Sequence, residues 1–425
     1  MQKAVLVGLN VNNDPGFEKS LREMAALAEA AEIEVTETLT QNLPARISGT
    51  LIGSGKIEEV REAVLAQEAE LVLFDSTLSP VQMRNLNRLL ETELLDRTGL
   101  ILRIFSDRAR TREASLQVES AKLQYLLPRL QGMHTELGRQ AGTSGSMSSR
   151  GAGEKKIELD RRHIEHRIAE LRRELAAVDG ERETQRRRRM ASGLPRIALV
   201  GYTNAGKSTI LNRMLALYGS GEEKEVLEKD MLFATLDTAV RRIEPGKNAK
   251  PFLLSDTVGF ISNLPTTLVK AFRSTLEEVK YADILLLVSD LSDPDFRENL
   301  EVTMNTLSEI GAGHLPRIFV FNKADLSPVP DLSSISIRGM TEEDGRIAIS
   351  ARSEEDIVRL TEAIGDKINS GRAECSMLIP YTDGGVLARL MERYEVTETE
   401  YLPEGTKIRL FCTREDYLRY QKYLL

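Results

Sequence analysis

The sequence predicts a multidomain α/β protein, on three observations. At 425 residues the chain exceeds one ordinary hydrophobic core, so three or four domains are expected. Short apolar strands alternate with helical segments over residues 1–105 and again over 191–370, which argues two α/β units. Between them, residues 106–190 carry apolar residues at coiled-coil spacing. The expected division is a parallel α/β domain over 1–105, then an antiparallel helical hairpin over 106–190 with a Gly-rich loop at 131–153. A second α/β domain over 191–370 and a small α+β domain over 371–425 follow.

Each element has a local reason. "AVLVGL" at 4–9 reads as a strand, "SLREMAALAEAAEI" at 20–33 as a helix, and "LVLFD" at 71–75 and "LILRIF" at 100–105 as strands. In the hairpin, Leu116, Leu123, Leu127 and Leu130 recur at gaps of 7, 4 and 3. Ile157, Ile164, Ile168, Leu171, Leu175 and Val178 recur at 7, 4, 3, 4 and 3. Two such stripes joined by one loop bury each other, with Arg161 loosening the second near the loop.

The loop "GMHTELGRQAGTSGSMSSRGAG" is longer than the roughly 12–15 residues at which structureless connections become uncommon. Between Glu136 and Glu154 it holds no acid, only Arg139 and Arg150 amid Gly and Ser. A plain linker and a mobile finger that approaches a phosphate-rich surface without repulsion both fit this composition. Arg186, Arg187, Arg188 and Arg189 form a second basic run, read either as a solvated linker or as a phosphate contact. In the tail, "VLARLMERY" reads as a helix, "VTETEYL" and "TKIRLFC" as strands, and "REDYLRYQKYLL" as a last helix.

Composition narrows the class. A net charge of −8 argues against polyanion binding by the whole surface and leaves only local basic patches. The apolar run Ile284 to Val288 is far short of a membrane span, and "MQKAVLVGLN" reads as a first strand rather than a secretory signal. Cys375 and Cys412 stand alone in the sequence, and four scattered His give no ligand spacing, so neither a disulfide framework nor a zinc site is expected. These features predict a cytoplasmic protein. The hairpin can satisfy itself internally, which fits a monomer.

The chemistry concentrates in 191–370. "RIALVGYTNAGKST" places a strand, a Gly-rich turn and a helix start in order, and Gly201-x4-Gly206-Lys207-Ser208 is a complete P-loop. The cradle comprises Gly201, Tyr202, Thr203, Asn204, Ala205, Gly206, Lys207, Ser208 and Thr209. Its N–H groups and helix N-terminus suit phosphate, Lys207 reaches β and γ oxygens, and the Ser208 hydroxyl suits Mg²⁺.

Asp256-Thr257-Val258-Gly259 follows a second strand, where Asp256 would hold Mg²⁺ through water and the Gly259 N–H would sense a γ-phosphate. Thr235, with Thr238 as the fallback, would complete the metal shell. Asn322-Lys323-Ala324-Asp325 selects the base. The Asp325 carboxylate accepts both guanine N1–H and N2–H, Asn322 reaches the base's other edge, and the Lys323 stem covers its face. Ser350-Ala351 would bring a loop N–H to guanine O6. Together these predict a P-loop GTPase domain of Ras-like type with GTP or GDP as ligand. "LIGSGKIEEV" at 51–60 is a decoy: Thr50 stands at the first Gly position and Ile57 replaces the metal-binding hydroxyl.

With these residues in place, the chain resembles the HflX family of the Obg-HflX group of translational GTPases. The resemblance rests on "DRTGLILRIFSDRARTREASLQVESAKLQYLLPRL" at 96–130, on "SRGAGEKKIELDRR", and on the nucleotide motifs. It implies binding to the large (50S) ribosomal subunit and its rRNA, ribosome-stimulated GTP hydrolysis, and in some members the splitting of stalled ribosomes. In that picture the Gly-rich loop reaches rRNA near the peptidyl-transferase region.

One residue does not fit an ordinary GTPase. Phe260 occupies the position where many GTPases place a water-aligning Gln. Either Phe260 simply packs into the core, or water alignment is delegated to the ribosome or to K⁺ held by Asn204, whose Gly-x-x-Asn-x-Gly-Lys-Ser setting resembles potassium-stimulated GTPases. The competing classes are an RNA-modifying enzyme gated by its G domain and an RNA-remodelling NTPase. The first lacks a catalytic Cys context and the second a complete second P-loop.

Overall fold

The computed structural model describes residues 1–133, 148–191, 193–219, 233, 239–246, 250–261, 278–370, 372–394 and 396–425. The first unit is a four-stranded parallel sheet in the order β2-β1-β3-β4, made of β1 (Gln2–Val11), β2 (Ile33–Leu43), β3 (Leu71–Phe74) and β4 (Glu93–Asp96). Helices α1 (Phe17–Ala30) and α4 (Arg97–Arg108) cover one face, with α5 (Arg112–Met133) packed against them. Helices α2 (Ser54–Gln67) and α3 (Pro80–Leu90) cover the other. Burial on both faces explains why the strands read as continuous apolar runs.

The segment 100–105 corrects the sequence reading, because it is helical rather than a strand. Asp96 caps α4 by accepting the Gly99 N–H at 2.8 Å, and Leu100, Ile101, Leu102, Ile104 and Phe105 are all buried. A helix without a polar face loses the 3.6-residue signal and resembles a buried strand. The fourth strand is instead the four-residue β4. The decoy at 53–56 opens α2, with Lys56 paired to Glu59.

Helix α5 runs antiparallel to α6 (Ser148–Ala191), as the pairs Arg112–Glu174 at 3.3 Å and Arg167–Glu119 at 2.8 Å require. Leu171 is fully buried, Ile168 nearly so, and Leu116 on the opposite helix is buried as well. Helix α5 is apolar on a second side too, where Ala114, Val118 and Ala121 enter the N-terminal core. Of the Gly-rich stretch read as 131–153, Gln131–Met133 end α5 and residues 148–153 are the first turns of α6, while 134–147 lie outside the described residues.

Asp96 joins hairpin to sheet. Besides its cap, its buried carboxylate accepts from Leu78 N (2.9 Å), Tyr125 Oη (2.8 Å) and Arg129 Nη2 (3.1 Å).

The nucleotide unit is a six-stranded sheet in the order β10-β9-β8-β5-β7-β6. It comprises β5 (Arg196–Gly201), β6 (Ala239–Ile243), β7 (Phe252–Asp256), β8 (Ile284–Asp290), β9 (Arg317–Asn322) and β10 (Gly345–Ala348), with β6 antiparallel to β7 and the other pairs parallel. Helices α7 (Lys207–Tyr218) and α9 (Glu354–Ser370) pack on one face and α8 (Phe296–Glu309) on the other. The tail is an antiparallel sheet, β11-β13-β12, of β11 (Arg372–Ile379), β12 (Val396–Leu402) and β13 (Gly405–Thr413), with α10 (Gly384–Arg393) and α11 (Arg414–Arg419). No described helix is long and apolar enough to cross a membrane.

Replacing Asp96 by Ala removes the cap of α4 and leaves the Arg129 guanidinium short of its buried counter-charge. The expected loss is about 3–5 kcal/mol, read as a shift of the urea midpoint. A loss under ~1 kcal/mol would mean the joint is dispensable.

Candidate nucleotide site

The sheet brings the predicted motifs together at the C-terminal ends of its parallel strands, where open α/β sheets hold ligands. Strand β5 ends at Gly201, the loop turns through Gly206, and α7 starts at Lys207. Gly201 (φ +152°) lies against β8, where a Cβ would sit 2.1 Å from Val288 O. Gly206 (φ +92°) lies so close to Asn322 that a Cβ would fall 2.1 Å from Nδ2. Both positions need glycine for conformation and for space. Asn204 also takes a left-handed conformation (φ 62°) and is exposed at the loop's tip.

The loop is closed on itself. Lys207 Nζ donates to the carbonyls of Tyr202 (2.7 Å) and Gly201 (3.1 Å), and burial pushes its ammonium down to about 8 against the pull of Asp256. Ser208 Oγ donates to Asp256 Oδ2 at 2.7 Å. A hydroxyl beside a carboxylate is a hard oxygen pair of the kind Mg²⁺ takes, so these residues fit that ion. Thr203 and Ala205 are buried, and Thr209 continues α7.

The 256–261 segment lies along this loop. Phe260 N donates to Gly201 O at 3.0 Å, and Phe260 O accepts from Thr203 N at 2.8 Å, a parallel bridge between Tyr202 and Phe260. Gly259 is pressed so close that a Cβ would meet Thr203 Cα at 2.7 Å and Lys207 Nζ at 3.0 Å. The Phe260 ring is buried in the core behind the sheet with Val200, Leu285 and Phe319. Thr257, predicted beside phosphate, is fully buried and donates its hydroxyl to Leu199 O at 2.7 Å.

In the base-recognition loop, Asp325 is exposed. Asn322, read from sequence as a base contact, is 1% exposed and brackets two loops: Nδ2 donates to Ala205 O (2.8 Å) and Oδ1 accepts from Ala351 N (2.9 Å). The Ser350 N–H goes to Asp356 Oδ2 at 2.8 Å. Both N–H groups of the Ser350-Ala351 pair are thus bonded within the protein. Lys323 pairs with Asp290 at 2.7 Å.

Thr235, Thr238 and Arg139 lie outside the described residues. Arg150 and Arg186–Arg189 fall on α6.

Sequence reasoning missed the partners from the N-terminal unit. Val258, Ile261 and Phe233 are buried in the N-terminal core, and the rings of Phe233 and Phe105 meet edge-on at 4.7 Å. The Tyr202 hydroxyl donates to Glu23, which also binds Arg97. Arg97 in turn reaches Asp75 Oδ1 (2.8 Å) and Ser20 Oγ (3.3 Å). The pairs Lys19–Glu298 and Arg22–Asp295 brace α1 against α8 from outside. The only available signal was apolar Val258 and Ile261 flanking a phosphate-sensing glycine; nothing on α1 marks Glu23.

Family comparisons agree with this geometry. Residues 18–106 match a GTP-binding GTPase N-terminal model, 108–189 a GTP-binding GTPase middle region, and 196–323 a 50S ribosome-binding GTPase model. GTPase HflX of Alkalihalophilus pseudofirmus is 42% identical over 95% of this chain and 93% of its own length. The chain belongs to the HflX GTPase family. GTPase HflX of Caldanaerobacter subterraneus is 40% identical over 100% of this chain and 94% of its own, and that of Escherichia coli 38% over 96% and 92%. A GDP-bound GTP-binding protein of Sulfolobus solfataricus resembles it at TM-score 0.45 and 24% identity, over 86% of this chain and all of that one. As an HflX GTPase, the chain binds guanine nucleotide and is a GTP hydrolase.

The lowered Lys207 pKa has a sign that can be tested. Phosphate favours the charged ammonium, so binding above pH about 8 must draw in a proton, and GTP affinity should fall about tenfold per unit as pH rises from there. Calorimetry at pH 9 in two buffers of different ionisation enthalpy should show net proton uptake. Equal heats in both would contradict this.

Proposed function

We propose that the chain is a nucleotide-driven switch that binds the large ribosomal subunit and its rRNA in the GTP state. It hydrolyses GTP when the subunit orders the switch segments, and splits or rescues stalled ribosomes. The observation that carries this reading is the shared burial of Val258 and Ile261 in the N-terminal core. A γ-phosphate that pulls Gly259 toward itself must act on that core, and through Asp96 on the helical arm. The description of the matching model as a 50S ribosome-binding GTPase supports the target.

In this reading Lys207 leaves the Gly201 and Tyr202 carbonyls for the β and γ oxygens, and Ser208 turns from Asp256 toward a metal shell shared with Thr235. Ser208 and Thr235, with Asp256 through water, would hold Mg²⁺, which would offset the negative charge of the phosphates. Asp325 pairs guanine, with Lys323 over its face. With its ring in the core, Phe260 cannot align water, so the ribosome supplies alignment, assisted by K⁺ at Asn204. The arm's Arg139, Arg150 and Arg186–Arg189 are the rRNA contact candidates. The alternative of an RNA-modifying or remodelling NTPase finds no support, since Cys375 and Cys412 are buried in the tail and Lys56 is paired to Glu59.

Gradient co-sedimentation with 70S, 50S and 30S particles tests the proposal. A GTP analogue, but not GDP, should bring the chain to 50S and deplete 70S, and 50S should raise the slow basal hydrolysis by orders of magnitude. Attachment indifferent to nucleotide would sink the reading. Asp325→Ala should weaken GTP binding about 10²–10⁴-fold, at roughly 1.5–3 kcal/mol for each charge-assisted hydrogen bond, while ATP binding stays weak. Equal hydrolysis rates in Na⁺ and K⁺ would remove Asn204 from the scheme.

A further inference from the structure

The chain has two cysteines, 37 positions apart, and the tail sheet brings them together. Cys375 on β11 lies opposite Leu410, and Cys412 on β13 lies opposite Ala373. They are therefore diagonal neighbours on one face of an antiparallel pair, a position from which side chains meet across strands. Their Sγ atoms are 3.3 Å apart, and the Cys375 thiol also points at Leu410 O at 3.5 Å. Both are buried beside Met377, Ile379 and Leu410. No group of His, Cys, Asp and Glu suited to a metal exists among the described residues.

We propose that Cys375 and Cys412 are a modification site: under a peroxide they close to a reversible intrachain disulfide. A disulfide needs its sulfurs at about 2.05 Å, so the pair must close by about 1.3 Å, shared between two side chains on adjacent strands. Cys375, 5% exposed against 0% for Cys412, is the thiol that meets the oxidant. Its thiolate attacks hydrogen peroxide, an S–O bond forms as the O–O bond breaks, and the departing hydroxide takes up the thiol's proton as water. Cys412 sulfur then attacks the sulfenic sulfur. The S–S bond forms, the S–O bond breaks, and hydroxide leaves with the Cys412 proton as a second water. Two thiols and one peroxide give one disulfide and two waters.

Burial and the neighbouring Cys412 thiol push the Cys375 thiol up to about 12. Little thiolate exists at neutral pH, so closure is slow there and quickens about tenfold per pH unit. The link would tie the first strand of the tail to its central strand around α10 and β12, outside the nucleotide unit. Reduction by a dithiol would reopen it.

The test treats the native full chain with hydrogen peroxide at pH 7 and pH 8.5, alkylates the remaining thiols in denaturant, and maps peptides by mass. The expected result is one linked pair carrying Cys375 and Cys412, lighter by two hydrogens. It should form about 30-fold faster at the higher pH, raise Tm, and revert with dithiothreitol. Cys412→Ser and, independently, Cys412→Ala should instead leave Cys375 carrying added oxygen. Thiols that remain fully alkylatable, oxygen adducts without a link in the unsubstituted chain, or links only between chains would each overturn the proposal.

Discussion

Two backbone hydrogen bonds, Phe260 N to Gly201 O and Thr203 N to Phe260 O, lay the 256–261 segment along the phosphate loop. Lys207 is turned onto carbonyls of the same loop at the same time. Buried donors and acceptors seek partners, and here the loop and the segment satisfy one another. In the proposed switch, nucleotide would exchange one set of hydrogen bonds for another, and that exchange would move Gly259 and the segment attached to it.

What is attached determines the consequence. Phe260 holds to the nucleotide unit's own core, whereas Val258 and Ile261, close by on the same segment, belong to the N-terminal core. The segment is thus shared between two packed interiors, and interiors at crystal-like density respond by discrete repacking rather than by gradual deformation. The buried cluster of Glu23, Arg97 and Asp75 adds direction more than stability. Paired buried charges contribute little net energy but are costly to separate, and Asp75 already has its carboxyl raised by burial despite Arg97. Arg97 follows Asp96 in sequence, so one residue fastens the arm while the next faces the phosphate loop through Glu23 and Tyr202.

The nucleotide motifs were legible because each is local: strand, turn and helix start within fourteen residues make a P-loop wherever they occur. The heptad stripes were legible for the same reason. The 100–105 helix was misread because burial on nearly every side erased its period. The hydrogen bonds of Asn322, Thr257 and Ala351 are made to residues distant in sequence, which spacing does not encode. Cys375 and Cys412 looked solitary because β11 went unread, and with it the strand pairing that joins them.

By itself the sequence determined the class of chemistry, a GTPase with its P-loop at Gly201–Ser208, and an arm of two helices. These depend on residue type and short-range spacing, which a chain carries before it folds. Only the tertiary structure decided that Phe260 points into the core while its backbone bridges the P-loop. It alone placed Val258, Ile261 and Phe233 in another unit's interior, set Asp96 as the joint of the arm, and brought two thiols into contact. Each of these is a long-range pairing, and many such pairings are compatible with one local pattern until the packed interior selects among them.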